Sequence, residues 1–162
     1  MISSRGMFDW FAVDHLDVER LLAEWRWLCP NRMSLVARDA FGDLFLRDES
    51  GQIHRLDVAV GQFLKIADSE AQFRELAIDK RDEWFAEGEK ATAAAKGLKP
   101  NHTQCIGFSV PLVFREGGGP DTAYIADLYE HVSFLGELNK QIAELPDGAQ
   151  VRLVIGTKPV NE

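Results

Sequence analysis

The chain has 162 residues, 46% of them hydrophobic and 27% charged, and its 26 acidic against 18 basic side chains leave a formal net charge of −8. A chain of this size buries roughly two thirds of its unfolded surface in one core, its composition is too apolar for intrinsic disorder, and its acidic balance argues against the basic footprint with which a nucleic-acid binder neutralises phosphates. No apolar run approaches the roughly 18 residues that span a bilayer, and Met1 to Asp14 lacks the basic and then apolar order of a signal peptide. The expectation is one soluble cytoplasmic domain over residues 1–162, with neither nucleic acid nor membrane as partner.

After an apolar opening (Phe8, Trp10, Phe11, Val13), Asp14 is placed to cap a helix, with Asp17 in its first turn. Val18, Leu21, Leu22, Trp25 and Cys29 then fall on one helical face, and Pro30 stops the run. From Ser34 to Ala67 the pattern shortens to a meander. Its strands are expected at Ser34 to Arg38, Asp43 to Arg47, Gln52 to Val58 and Gln62 to Ala67, joined by turns short enough to require antiparallel neighbours. Leu44, Phe45 and Leu46 are consecutive and apolar, which marks a central strand covered on both faces.

Ser69 and Gln72 form a capping box for a second helix, whose face continues through Phe73, Leu76, Ala77 and Trp84. That helix is expected to run to Lys96 with a bend at Gly88, before Gly97 and Pro100 end it. Cys105 to Phe114 and Ala123 to Tyr129 read as strands around a flexible Gly117–Gly119 loop. Leu128, Val132, Leu135, Ile142 and Leu145 mark a last helix, and Val151, Leu153 and Ile155 a final strand. The fold class that follows is α+β, a twisted, mainly antiparallel sheet covered by helices.

None of His15, His54, His102 and His131 stands four residues from another, and His102 with Cys105 is half of a zinc motif without a second half. No Gly-x-Ser-x-Gly elbow is present, and the triple glycine lacks the Lys-Ser/Thr of a phosphate loop. The expectation is therefore a protein without cofactor, metal or catalytic residues. Cys29 and Cys105 are read as reduced thiols packed in the core.

Charge is concentrated in two stretches. Asp9 to Glu24 holds five acids and one base, Asp68 to Lys90 eight acids and four bases, and between them they account for the whole −8. Solvated helix faces are one reading; an acidic surface that steers a basic partner is the other. Asp82, Glu83 and Glu87, with Trp84 as an aromatic anchor, are the candidate partner-binding residues, because the adjacent Trp84 and Phe85 cannot both follow one core stripe.

The run Ala40-Phe41-Gly42-Asp43-Leu44-Phe45-Leu46, followed by Asp48, Gly51, Leu56-Asp57 and Gly61, resembles the C-terminal domain of type VI secretion immunity proteins, a family similar to the cell-wall-regulator-like immunity (SUKH) superfamily. Trp25-Arg26-Trp27-Leu28, Phe73, Cys105-Ile106-Gly107-Phe108, Pro111-Leu112, Leu135-Gly136 and Gln141 extend the likeness from Trp25 to Ile142; Arg115 and Glu116 interrupt it before the glycines. The resemblance implies a helix-covered twisted sheet and an antitoxin that occupies a cognate toxin effector, often a nuclease, and blocks it. Two alternatives stand beside it. One is a small-ligand-binding protein or enzyme with a pocket between sheet and helices near His54, Cys105 and His131; the other is a self-associating module that forms a homo-oligomer.

Overall fold

The computed structural model describes residues 10–109, 111 and 122–146. The expected strand at Val151 to Ile155, the glycine loop and the Phe114 end of the expected strand from Cys105 lie outside the described residues.

The meander forms as its spacing predicts. Strands β1 (Ser34–Arg38), β2 (Leu44–Arg47), β3 (Ile53–Asp57) and β4 (Gln62–Ala67) build an antiparallel sheet in chain order, with Leu44, Phe45 and Leu46 opposite Leu56, Arg55 and His54. Gly51 and Gly61 take positive φ in the two tight turns, a conformation that side chains disfavour. Because successive side chains on a strand point to opposite faces, Leu44 and Leu46 enter one hydrophobic cluster and Phe45 another, and all three are fully buried. The sheet is thus filled on both sides.

On the Leu44 side lie α1 (Val18–Leu22), a 3₁₀ turn (Ala23–Trp25) and α5 (Leu128–Ala143). Asp17, rather than Asp14, caps α1 by accepting from the Arg20 N–H at 3.2 Å, because Val13 and Leu16 spend their amides on local turns before the helix begins. Helix and turn press closely on α5: a Cβ at Gly136 would stand 2.6 Å from the Glu24 carbonyl oxygen, a contact open only to glycine. Asn139 of α5 donates to the Val58 and Leu135 carbonyls at 3.1 and 2.9 Å and ties the helix to the end of β3.

On the Phe45 side lie Trp10, Phe11, α2 (Glu70–Asp79) and α3 (Arg81–Phe85), followed by α4 (Glu87–Ala95). The capping box opens α2, with Ser69 accepting from the Gln72 N–H and Gln72 accepting in turn from Asp68. The expected long helix is three. Its second break falls at Ala86, not at Gly88: Ala86 adopts φ 50° and ψ 51°, and the Asp82 carboxylate accepts from the Gly88 N–H at 2.9 Å to start α4. Breaking there corrects the expectation of an exposed aromatic, since Trp84 and Phe85 are 4% and 2% exposed. The short α3 sits in a corner, where Trp84 stacks on Phe73 at 5.4 Å and Phe85 meets Phe45 at 5.0 Å and Trp10 at 5.3 Å.

A second sheet pairs β5 (Gln104–Phe108) with β6 (Ala123–Asp127), and the Ile106 N–H reaches the Ala40 carbonyl at 2.8 Å to join it to the end of β1. The sixth strand stops at Asp127, two residues before Tyr129, because Asp127 caps α5 by accepting from the Glu130 N–H. Leu128, Val132 and Leu135 face the core as expected, whereas Leu145 lies beyond the helix and is exposed.

Candidate functional site

Both loops at one end of the large sheet, 39–43 and 58–61, turn towards β5, β6 and α5, and the junction encloses a cleft of about 360 Å³. Asp39 builds its floor. The Asp39 N–H donates to the Asp43 carbonyl, and its carboxylate Oδ1 accepts from the Phe41 and Asp43 N–H groups at 2.9 and 2.8 Å, which closes the loop and presents Phe41. The Phe41 ring stacks on Phe108 with centroids 6.1 Å apart and planes 2° off parallel. Val60, Tyr124 and Phe134 stand exposed on the rim.

The polar groups of the cleft come from the 39–43 loop, β3 and α5, with Glu89 added from α4. Arg55 on β3 donates to Asp43 Oδ2 at 2.7 Å, and Asp43 Oδ1 accepts from the Val58 N–H at 3.0 Å, so both oxygens of Asp43 are engaged. Asp57 accepts from the Ala59 and Val60 N–H groups. Asp39 is 1% exposed, yet its Oδ2 accepts no hydrogen bond within the described residues. His131 comes from α5 and rests against Gly42 and Gly107, where added Cβ atoms would stand 3.3 and 3.0 Å from its ring; among the described residues neither ring nitrogen has a hydrogen-bond partner.

Electrostatics follow from this burial. Desolvation raises the Asp39 carboxyl to about 6 against the pull of the Asp43 and Phe41 amides and of Arg55 and Arg38. Burial, then the charges of Asp39 and Asp57, push Asp43 upward against Arg55. Burial lowers His131 to about 4, so its ring is neutral at neutral pH.

The two titrations oppose each other. Asp39 favours folding below its unfolded value near 3.9, and that contribution is lost as pH climbs through about 6; His131 favours folding above about 6.5 and loses its contribution as pH falls through about 4. Asp39→Asn removes the first and also relieves the upward push of the Asp39 charge on Asp43, which acts in the same direction. Relative to the unsubstituted chain, that variant is expected to gain about 1–3 kcal/mol between about pH 4 and about pH 7. Urea melts at both pH values measure it, and a difference that does not change with pH would contradict a buried, high-pKa Asp39.

His54, Cys105 and His131, the residues of the alternative pocket, occupy separate surroundings. His54 bonds Asp48 at 2.9 Å and stacks on Phe63, Cys105 is fully buried in the core, and His131 lines the cleft. Both cysteines are free and buried, with burial pushing the Cys29 thiol to about 11 and Cys105 to about 12. Among the described residues no group of three or more His, Cys, Asp or Glu side chains is placed to hold a metal ion, and no helix is long and apolar enough to cross a membrane.

The second feature is the acidic surface of α2 to α4. Glu83 lies 3.8 Å from Lys80, Glu87 pairs with Arg81 at 2.8 Å, and Asp82 caps α4, so each acid singled out in the sequence has a local partner. Trp84 is under the surface and is no anchor. The exposed apolar residue there is Ile78, 75% accessible, with Glu75 one turn before it and Asp79 beside it. Neither acid makes an ion pair among the described residues. Arg74 and Arg81 are turned over the Phe11 and Trp10 rings at 4.3 and 4.9 Å. The signal for Ile78 was its position off the Phe73–Ala77 stripe; nothing local in the sequence pointed to Asp39 or Arg55.

No family model matches the chain, and no curated protein or solved structure matches it either.

Proposed function

We propose that this is a cytoplasmic binding protein without chemistry of its own, an immunity-like protein that occupies a basic bacterial toxin effector and blocks it. The observation that carries the reading is Ile78, an apolar side chain 75% exposed beside Glu75 and Asp79, which make no ion pair among the described residues. An isolated exposed hydrophobe needs no explanation. An apolar anchor rimmed by uncompensated charge of one sign fits a partner of opposite sign, which it attracts over a distance and then holds by burying the anchor. A nuclease effector has such a surface, because its substrate cleft is basic. The resemblance to type VI secretion immunity domains supports the same partner class.

The test begins with the protein as bait in a lysate of its source cells, at low and moderate salt. The captured polypeptide is then purified and co-expressed. A toxic, basic polypeptide that is neutralised in a one-to-one complex is the expected result. Reversing Glu75, Asp79 and Glu83 to Lys should slow association at least tenfold at low salt and flatten its salt dependence, and Ile78→Asp should speed dissociation. Unchanged kinetics in both variants would remove this face from the interface; recovery of the bait alone would favour self-association.

A further inference from the structure

The cleft at the end of the large sheet has a charged lining that the proposed Ile78 face does not explain. Among the described residues its lining carries Asp39, Asp43, Asp57 and Glu89 against the single charge of Arg55, with His131 neutral. Arg55 is committed to Asp43, and Arg38, the other cation close to Asp39, donates to the backbone carbonyls of Asp39, His102 and Gln104. Arg55 Nε remains a buried donor without a partner among the described residues, and an acceptor is open as well. Asp39 is 99% buried by residue, it lines the cleft, and among the described residues its Oδ2 accepts no hydrogen bond. Glu89 and Asp57 strengthen the negative potential around it, which repels anions. The walls are apolar, with the Phe41–Phe108 stack on one side and Tyr124 and Phe134 exposed at the mouth.

We propose that the cleft binds a protonated amine or guanidinium on an apolar stem, with Asp39 Oδ2 taking the charge and the Phe41–Phe108 stack covering the stem. The geometry uses two forces that reinforce each other. A charge-assisted hydrogen bond to a desolvated carboxylate is strong, and aromatic faces attract cations as well as hydrocarbon. The volume lies within the range of about 300–1,000 Å³ that small-molecule sites occupy. Such a group has two sources, a free amine or a basic side chain presented by another protein. The site stands whether or not the Ile78 face docks a partner.

The test is titration of the full chain near neutral pH, followed by calorimetry and amide NMR, with phenethylammonium, with the neutral isostere 2-phenylethanol, and with blocked Gly-Arg-Gly and Gly-Lys-Gly peptides. Saturable one-to-one binding of the ammonium or a peptide is expected, with shifts at Ile106 to Phe108 and at least tenfold weaker binding of the alcohol. A tighter peptide identifies a protein side chain as the natural occupant, and a tighter ammonium a free amine. Asp39→Asn, which keeps the oxygen that holds the loop amides, should lose at least tenfold in affinity. Val60→Lys at the exposed rim places a competing cation over the cleft without touching the core and should abolish binding even if the Asp39 variant misfolds. Equal binding of ammonium and alcohol, unchanged affinity in a folded Asp39→Asn or Val60→Lys variant, or failure of every cation to saturate at millimolar concentration would overturn the proposal.

Discussion

Asp43→Ala is expected to destabilise the protein by about 3–5 kcal/mol, the range for removing one partner of a buried ion pair. Asp43 is 6% exposed and serves two elements at once, accepting from Arg55 Nη2 at 2.7 Å and from the Val58 N–H at 3.0 Å. Deleting its carboxylate leaves the Arg55 guanidinium part-buried without its counter-ion, when its Nε already lacks a partner among the described residues, and strands the amide of a fully buried residue. The repulsion that Asp39 and Asp57 exert on Asp43 is relieved, which offsets part of the loss. Urea melts near neutral pH measure the change. A second variant narrows the cause: Asp43→Asn keeps one of the two acceptors, its NH2 replacing the other oxygen, and should cost less than the alanine. Equal losses would mean that charge, and not the hydrogen bonds, holds the two loops together.

Trp25→Ala is expected to cost about 3–5 kcal/mol, as truncation of a buried aromatic does. Trp25 is fully buried at the point where the 3₁₀ turn meets α5; its Nε1–H donates to the Val132 carbonyl at 2.8 Å, and its ring stacks on Trp27 at 5.8 Å. The cavity cannot close by collapse, because Gly136 already lies against Glu24 and the backbone has no further approach to make. Trp25→Phe should cost less, since it keeps most of the buried area and loses the bond to Val132. A midpoint shift in urea without a change in slope is the expected signature. A loss below about 1 kcal/mol for the alanine variant would show that the α1–α5 contact is not part of the cooperative core.

Amino-acid order alone determined the architecture of the large sheet. Strands Ser34–Arg38 and Gln62–Ala67 fall where the alternation and the turn residues put them, and the Leu44-Phe45-Leu46 run marks the strand covered on both faces. These signals are local, because strand period and turn chemistry act over a few residues. The capping box at Ser69 is legible for the same reason.

Tertiary structure decided the rest. The residues from Ser69 to Lys96 have helical spacing throughout, but where the helix breaks depends on what it packs against. Ala86 takes a left-handed turn so that Trp84 and Phe85 can fill a corner made by Phe45, Phe73 and Trp10, residues that local spacing cannot bring together. The cleft is similarly illegible. Asp39 and His131 are far apart in the chain, and the environment that raises one pKa and lowers the other is created by the glycines, loops and strands folded around them. Burial and charge environment belong to neighbours in space, and only the folded chain supplies them.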